Sequence, residues 1–139
     1  MIYLDSSAIL EMVRHEPESE ALEVHLDAHP DQDLITSALA TVEVVRARVA
    51  LCSPDIAGRA VTRSDRIELP AGGTIAAIAM IAPVLDLART VPASILRSLD
   101  AIRVATATLL DAAIDHVITY DKRMLAAADA AGLRTAAPS

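Results

Sequence analysis

One arrangement recurs along this chain and limits its fold more than any other: a short apolar run, a small polar residue, then a helix-length stretch. Ile2-Tyr3-Leu4 runs into Asp5-Ser6-Ser7 and a helix from about Ala8. Leu34-Ile35-Thr36 runs into Ser37 and a helix reaching about Leu51. His116 to Tyr120 runs into Asp121 and a helix to about Ala131, with Gly132 as its C-cap. Runs this short and apolar suit strands buried on both faces. Strands alternating with helices imply a mostly parallel sheet covered on both sides, an α/β fold.

The remaining stretches are assigned by the same signals. Glu18 to Ala28 reads as an amphipathic helix after Pro17, and His29-Pro30-Asp31 as a loop. Ser53-Pro54-Asp55 starts a helix by the cap-then-proline rule, ending before Pro70. A strand is placed at about Ile75 to Ala79, after Gly72-Gly73, with Ile67-Glu68-Leu69 as a competitor. Pro83 opens a helix through about Ala88, and Val91-Pro92 breaks it. Ser98 caps the next helix, which runs to about Ala113, and Leu133-Arg134-Thr135 adds an edge strand. The sheet is therefore expected to hold about four to five strands. At 139 residues, without repeat or linker, positions 1–139 read as one domain.

Composition narrows the function. The hydrophobic share is 53%, yet Tyr3 and Tyr120 are the only aromatics, so bases cannot be stacked on aromatic platforms. The net charge of −7 argues against a general nucleic-acid coat. It leaves room for a nuclease, because bound divalent cations change the local charge. Eleven of the 12 basic residues are arginine, so contact with RNA would rest on a local arginine patch. The single Cys52 forms no internal disulfide and fits a reducing cytoplasm. No signal peptide is indicated. The longest uncharged run, Leu69 to Leu85, carries Pro70, Gly72, Gly73 and Pro83 and is a poor membrane span.

Four carboxylates then stand out. Ligand sites in parallel sheets lie beyond the carboxyl ends of the strands, where Asp5 and Asp121 each follow a strand. Glu43 sits within Val42-Glu43-Val44-Val45 and needs a partner if it nears the core. Asp100 lies in the first turns of an alanine-rich helix. Each has a plain structural reading: a cap for Asp5 and Asp121, a pair with Arg46 for Glu43, a dipole-favoured acid for Asp100. Together they suggest a divalent-metal site, since carboxylate oxygens suit a hard cation. Empty, such a site holds acids that repel, and one of them is expected to be partly protonated. Asp111 and Asp115 compete but are expected away from Asp5. Ser6 and Ser7 read as caps and Thr119 as a strand position. His15, His25, His29 and His116 read as dispersed over surface helices, a loop and a strand base, so no zinc site is expected. Cys52 has no base near it in sequence, and Gly72-Gly73 matches no phosphate-binding glycine pattern.

With these acids in place the chain resembles the PIN-domain ribonucleases, and most closely the VapC toxins of bacterial toxin–antitoxin pairs. The resemblance rests on Ile2-Tyr-Leu-Asp-Ser-Ser-Ala8, the embedded Glu43, Leu96-Arg-Ser-Leu-Asp-Ala-Ile102 with Ala105-Thr-Ala107, Thr119-Tyr-Asp-Lys-Arg-Met124, Ala126-Ala127 and Gly132-Leu133. It implies a three-layer α/β/α fold and an acid quartet of Asp5, Glu43, Asp100 and Asp121 as catalytic and metal-binding residues. It also implies Mg²⁺ or Mn²⁺, endoribonuclease activity on RNA, a homodimer and a VapB-type antitoxin that blocks the site. An apolar groove near the N-terminal helices would seat an amphipathic partner helix. One departure stands beside it: the family often has His after Asp-Ala-Ile, where this chain has Arg103. A catalytically weak or inactive scaffold acting through binding is therefore the alternative, and a metal-dependent phosphatase on a similar sheet is a third reading.

Overall fold

The computed structural model describes residues 1–14, 16–50, 61–69, 72–92 and 96–139. In chain order these form β1 (Ile2–Leu4), α1 (Ser6–Arg14), α2 (Ser19–Asp27), β2 (Leu34–Ser37), α3 (Ala38–Ala50), β3 (Val61–Thr62), β4 (Arg66–Glu68) and β5 (Thr74–Ile78). They continue with α4 (Ala82–Ala88), α5 (Ser98–Leu109), a 3₁₀ turn (Asp111–Ala113), β6 (His116–Ile118), α6 (Lys122–Ala130) and β7 (Thr135–Ala136). One sheet takes all seven of these strands in the order β3-β4-β5-β2-β1-β6-β7.

β1 is the hinge of the topology. It pairs in parallel with β2, Tyr3 opposite Ile35, and with β6, Tyr3 opposite Val117. The chain leaves β1 toward β2 and β5, then crosses back to lay β6 on its other side. This reversal of strand order opens a crevice beyond the carboxyl end of β1. Alternation along β1 makes the layers: Ile2 and Leu4 pack with Ile9, Val13, Leu22 and Val44 of α1 to α3 on one face. Tyr3 faces the other way, with Val104 and Ala107 of α5 and Met124 and Ala128 of α6. Buried alanines let α5 and α6 lie close to the sheet. Burial pushes the Tyr3 phenol far up, with the Asp5 carboxylate adding to the effect, so it stays neutral.

The three-layer α/β/α architecture with a mostly parallel sheet is as the sequence implies. Between 61 and 78 the details differ. Both strand candidates form: Ile67 of β4 pairs antiparallel with Ile75 of β5, around a turn where Gly72 and Gly73 adopt φ of 94° and 96°. β3 pairs antiparallel with β4, so 61–68 is a strand hairpin where the sequence signals a helix. The expected start of that helix, Ser53-Pro54-Asp55, lies outside the described residues, as do His15, Cys52 and Pro70. Ile67 and Ile75 are fully buried, and pairing buries them against the first core. Ser98 is the first residue of α5 and not its cap; Arg97 holds that position with extended backbone. α5 stops at Leu109, and the expected extension to Ala113 is a separate 3₁₀ turn. Among the described residues, no helix is long and apolar enough to cross a membrane.

The expectation of dispersed histidines is wrong. His25 and His29 lie four residues apart, one helical turn, and α2 packs so that both meet His116 at the start of β6. His25 Nε2 and His116 Nε2 share one hydrogen bond at 2.8 Å. Burial, and then the neighbouring His116 and His29, make His25 harder to protonate than an ordinary imidazole.

Both the packing of α2 and the state of His25 can be checked. Leu22→Ala, in the core face of α2, should cost about 2–5 kcal/mol in urea unfolding, whereas Val24→Ala on its exposed face should stay within about 0.5 kcal/mol. Since His25's folded proton affinity is lowered, its contribution is complete above the ordinary value of 6.5 and lost as pH falls below it toward the folded value. In EDTA, His25→Gln should therefore lose less thermal stability than the parent between pH 7.5 and 5.5.

Candidate active site

The carboxyl end of β1 delivers Asp5 into the crevice, 1% exposed. Its backbone N–H donates to the Ile118 carbonyl of β6 at 3.0 Å, which ties the acid to the neighbouring strand. Its two carboxylate oxygens have different surroundings. Oδ2 accepts from the Ser7 hydroxyl at 2.9 Å and the Thr119 hydroxyl at 3.0 Å. Oδ1 has no hydrogen-bond partner and faces Arg103, whose Nε stands 3.7 Å away. Ser7 and Thr119 thus have a different part from the caps and fillers they resemble in sequence. Their hydroxyls lie 3.1 Å apart, Ser7 Oγ accepts from the Tyr120 N–H at 3.0 Å, and Thr119 Oγ1 from the Asp121 N–H at 3.2 Å. The sequence signal is a hydroxyl two positions after Asp5 and another two before Asp121.

Arg103 gathers the acids. Placed one turn after Asp100 on α5, it donates through Nη1 to Asp100 Oδ1 at 2.7 Å. Nη2 donates to Glu43 Oε1 from α3. Arg103 is 8% exposed, and its guanidinium stands among three of the four candidate acids, which come from β1, α3 and α5. The mutual repulsion expected of an empty quartet is thereby met by a cation of the chain's own. Glu43 sits on α3 beside buried Val44 and exposed Val42 and Val45, and its partner is Arg103, not Arg46.

Asp121 stands apart from this group. It is exposed and caps α6, its Oδ1 accepting from the Arg123 N–H at 2.7 Å and the Met124 N–H at 3.1 Å. It nevertheless lines the same open cavity of about 870 Å³ as Glu43, Asp100 and Arg103. Arg97, Lys122 and Arg123 line it too. Four of the chain's 12 basic residues therefore border the acids, a local basic rim on a protein of net charge −7. Asp115 is at the other end of β6, beside His116, far from this crevice along the strand.

The donor set suits a hard cation: carboxylate oxygens, two of which, Asp5 Oδ1 and Glu43 Oε2, are buried without a hydrogen bond. As the side chains stand, the guanidinium spaces them. Among the described residues, no group of three or more acidic, His or Cys side chains is gathered to hold an ion. A divalent cation at these oxygens would take the place the guanidinium holds.

A PIN-domain family model matches residues 2–130. Three Mycobacterium tuberculosis proteins are similar over 99% of the chain: Ribonuclease VapC47 at 34% identity over 97% of its own length, Ribonuclease VapC35 at 37% over 97%, and Ribonuclease VapC46 at 39% over 98%. No solved structure matches significantly.

Removing the guanidinium leaves buried Asp5, and part-buried Glu43 and Asp100, without a counter-charge. Arg103→Met should therefore lower stability by roughly 3–5 kcal/mol in urea unfolding with EDTA present.

Proposed function

The chain belongs to the PIN-domain family, and on that premise we propose that it is a VapC-type toxin, a metal-dependent endoribonuclease built on a single domain, 1–139. The observation that carries this reading is Asp5: a buried carboxylate at the strand-order reversal, with one oxygen locked by hydroxyls and the other unsatisfied beside further acids. Asp5, Glu43 and Asp100, with Asp121 from the rim, would hold Mg²⁺ or Mn²⁺. An ion bound there supplies a lowered pKa for water and neutralises charge building on the scissile phosphate.

The chain's own residues do the rest. Ser7 and Thr119 fix the direction of Asp5 without consuming its free oxygen. Arg97, Lys122 and Arg123 face the RNA backbone from the cavity rim, contacts that position a strand and carry no base preference. Arg103 holds the unloaded acids together and gives up part of that role on loading, when its guanidinium is free to meet a phosphate oxygen. The partner is a VapB-type antitoxin, the assembly a homodimer, and the compartment the cytoplasm. Exposed Val42 and Val45, flanking Glu43 on α3, place apolar surface next to the site for such a partner.

A second reading has a specific observation in its favour. Arg103 already pairs with Asp100 and Glu43, as it would in a scaffold that binds RNA or antitoxin without cutting. Cleavage of a mixed pool of structured RNAs separates the two. With Mg²⁺ or Mn²⁺ the parent should cut, EDTA should stop it, and Asp5→Asn should abolish cleavage with an unchanged circular dichroism spectrum. Metal binding without cleavage of any RNA favours the scaffold, and cleavage retained in Asp5→Asn removes the acid quartet from the mechanism.

A further inference from the structure

At the opposite end of β6 from the acids lies a cluster that RNA cleavage does not use. His25 is in the last turn of α2, His29 one turn further on, and His116 opens β6. Their ring centroids are 4.7 Å apart for His25 and His29, 5.0 Å for His25 and His116, and 5.5 Å for His29 and His116.

Their partners assign the protons. His116 Nδ1 lies 2.7 Å from Asp115 Oδ2, and a carboxylate only accepts, so Nδ1 carries the proton and Nε2 presents its lone pair. Asp115 is held well inside the ionised range by that bond, and Arg134 Nη2 steadies its other oxygen at 2.6 Å. His29 Nδ1 lies 2.7 Å from the His25 carbonyl, so it too donates and leaves Nε2 as a lone pair. With both rings neutral, His25 Nε2 supplies the proton shared with His116 Nε2 at 2.8 Å.

A histidine that ligates a metal through one nitrogen almost always donates its other N–H to a carboxylate or a carbonyl. His116 and His29 already do so. We propose that this cluster is a second metal site, of imidazole type, for Zn²⁺ or an ion of similar softness. His25 and His116 supply the first two donors, and His29 is the third within reach. Imidazole selects Zn²⁺, Ni²⁺ or Cu²⁺ over Mg²⁺, so the two ends of the sheet take different ions.

Among the described residues no three ligands converge as they stand, so loading moves atoms. The proton between His25 and His116 leaves Nε2 to solvent while His25 takes one up at Nδ1, so both rings stay neutral and both Nε2 lone pairs are free. The two nitrogens then part from 2.8 Å to about 3.3 Å, the span of two Zn–N bonds of ~2.0–2.1 Å at a tetrahedral angle. The ion would pin α2 to β6. This inference stands apart from the nuclease reading.

The test takes the untagged full chain in excess Mg²⁺ and titrates Zn²⁺ by calorimetry and Co²⁺ by visible absorption, beside Asp5→Asn, His25→Gln and Asp115→Asn. Circular dichroism checks that each variant is folded. The expected result is one Zn²⁺ per chain, tetrahedral Co²⁺ bands and a raised melting temperature, all unchanged in Asp5→Asn. Binding should be lost in His25→Gln and weakened about 10–100-fold in Asp115→Asn, which alters only the outer partner. Zn²⁺ binding that persists in His25→Gln or disappears in Asp5→Asn overturns the proposal by moving the ion to the acids. No binding, with a melting temperature that follows pH alone, overturns it in favour of a histidine pair that only shares a proton.

Discussion

The contact among the Arg103 guanidinium, Asp5, Glu43 and Asp100 is the one on which this molecule's organisation turns. Three elements distant in sequence, β1, α3 and α5, each bring a carboxylate to the same crevice, and like charges so close oppose that arrangement. A positive group among them offsets the repulsion. In this chain it is covalently part of α5, three residues from Asp100, so the helix that brings an acid also brings its counter-charge. The convergence of α3 and α5 over the end of the sheet is then a result of charge balance as well as of packing.

That built-in cation changes how a divalent ion would enter. The exchange is cation for cation: the ion must compete with a guanidinium that makes a direct hydrogen bond to each of two acids. Loading would therefore need movement of the Arg103 side chain. Ser7 and Thr119 make such an exchange workable, since Asp5 keeps its aim through Oδ2 whichever cation faces Oδ1.

Much of this is legible in the residues, and the failures have physical causes. β1, β2 and β6 are buried on both faces, so their apolar runs are unbroken, and the acids after β1 and β6 can be placed at strand ends without coordinates. The hairpin at 61–68 escapes a sequence reading because cap-then-proline chemistry at Ser53-Pro54 speaks only for where a helix starts, while pairing with β5 shapes the chain nearer Pro70. Asp121 groups with the other acids in sequence by its strand-end position, and the plain reading of it as a helix cap is the one its side chain takes at the rim. The histidines look dispersed because two are local and the third is 91 positions from His25, a pairing that only the packing of α2 on β6 supplies. Arg103 is visible as a departure from the family pattern, yet nothing in its sequence context says that it points inward.

β1 is only three residues long, and its pairing to β6 sets Ile2 against His116 and Leu4 against Ile118. A slip of one position would carry every side chain of the strand to the other face and move Asp5 by about 3.3 Å along the sheet. Tyr3 would then turn into the layer packed by α1 and α2, and Ile2 and Leu4 into the alanine-lined layer opposite. Side-chain substitutions here are graded insults, whereas gaining or losing one residue between Met1 and Asp5 is all-or-none. For the fold, Ile2 to Leu4 should accept changes of letter far more readily than changes of length.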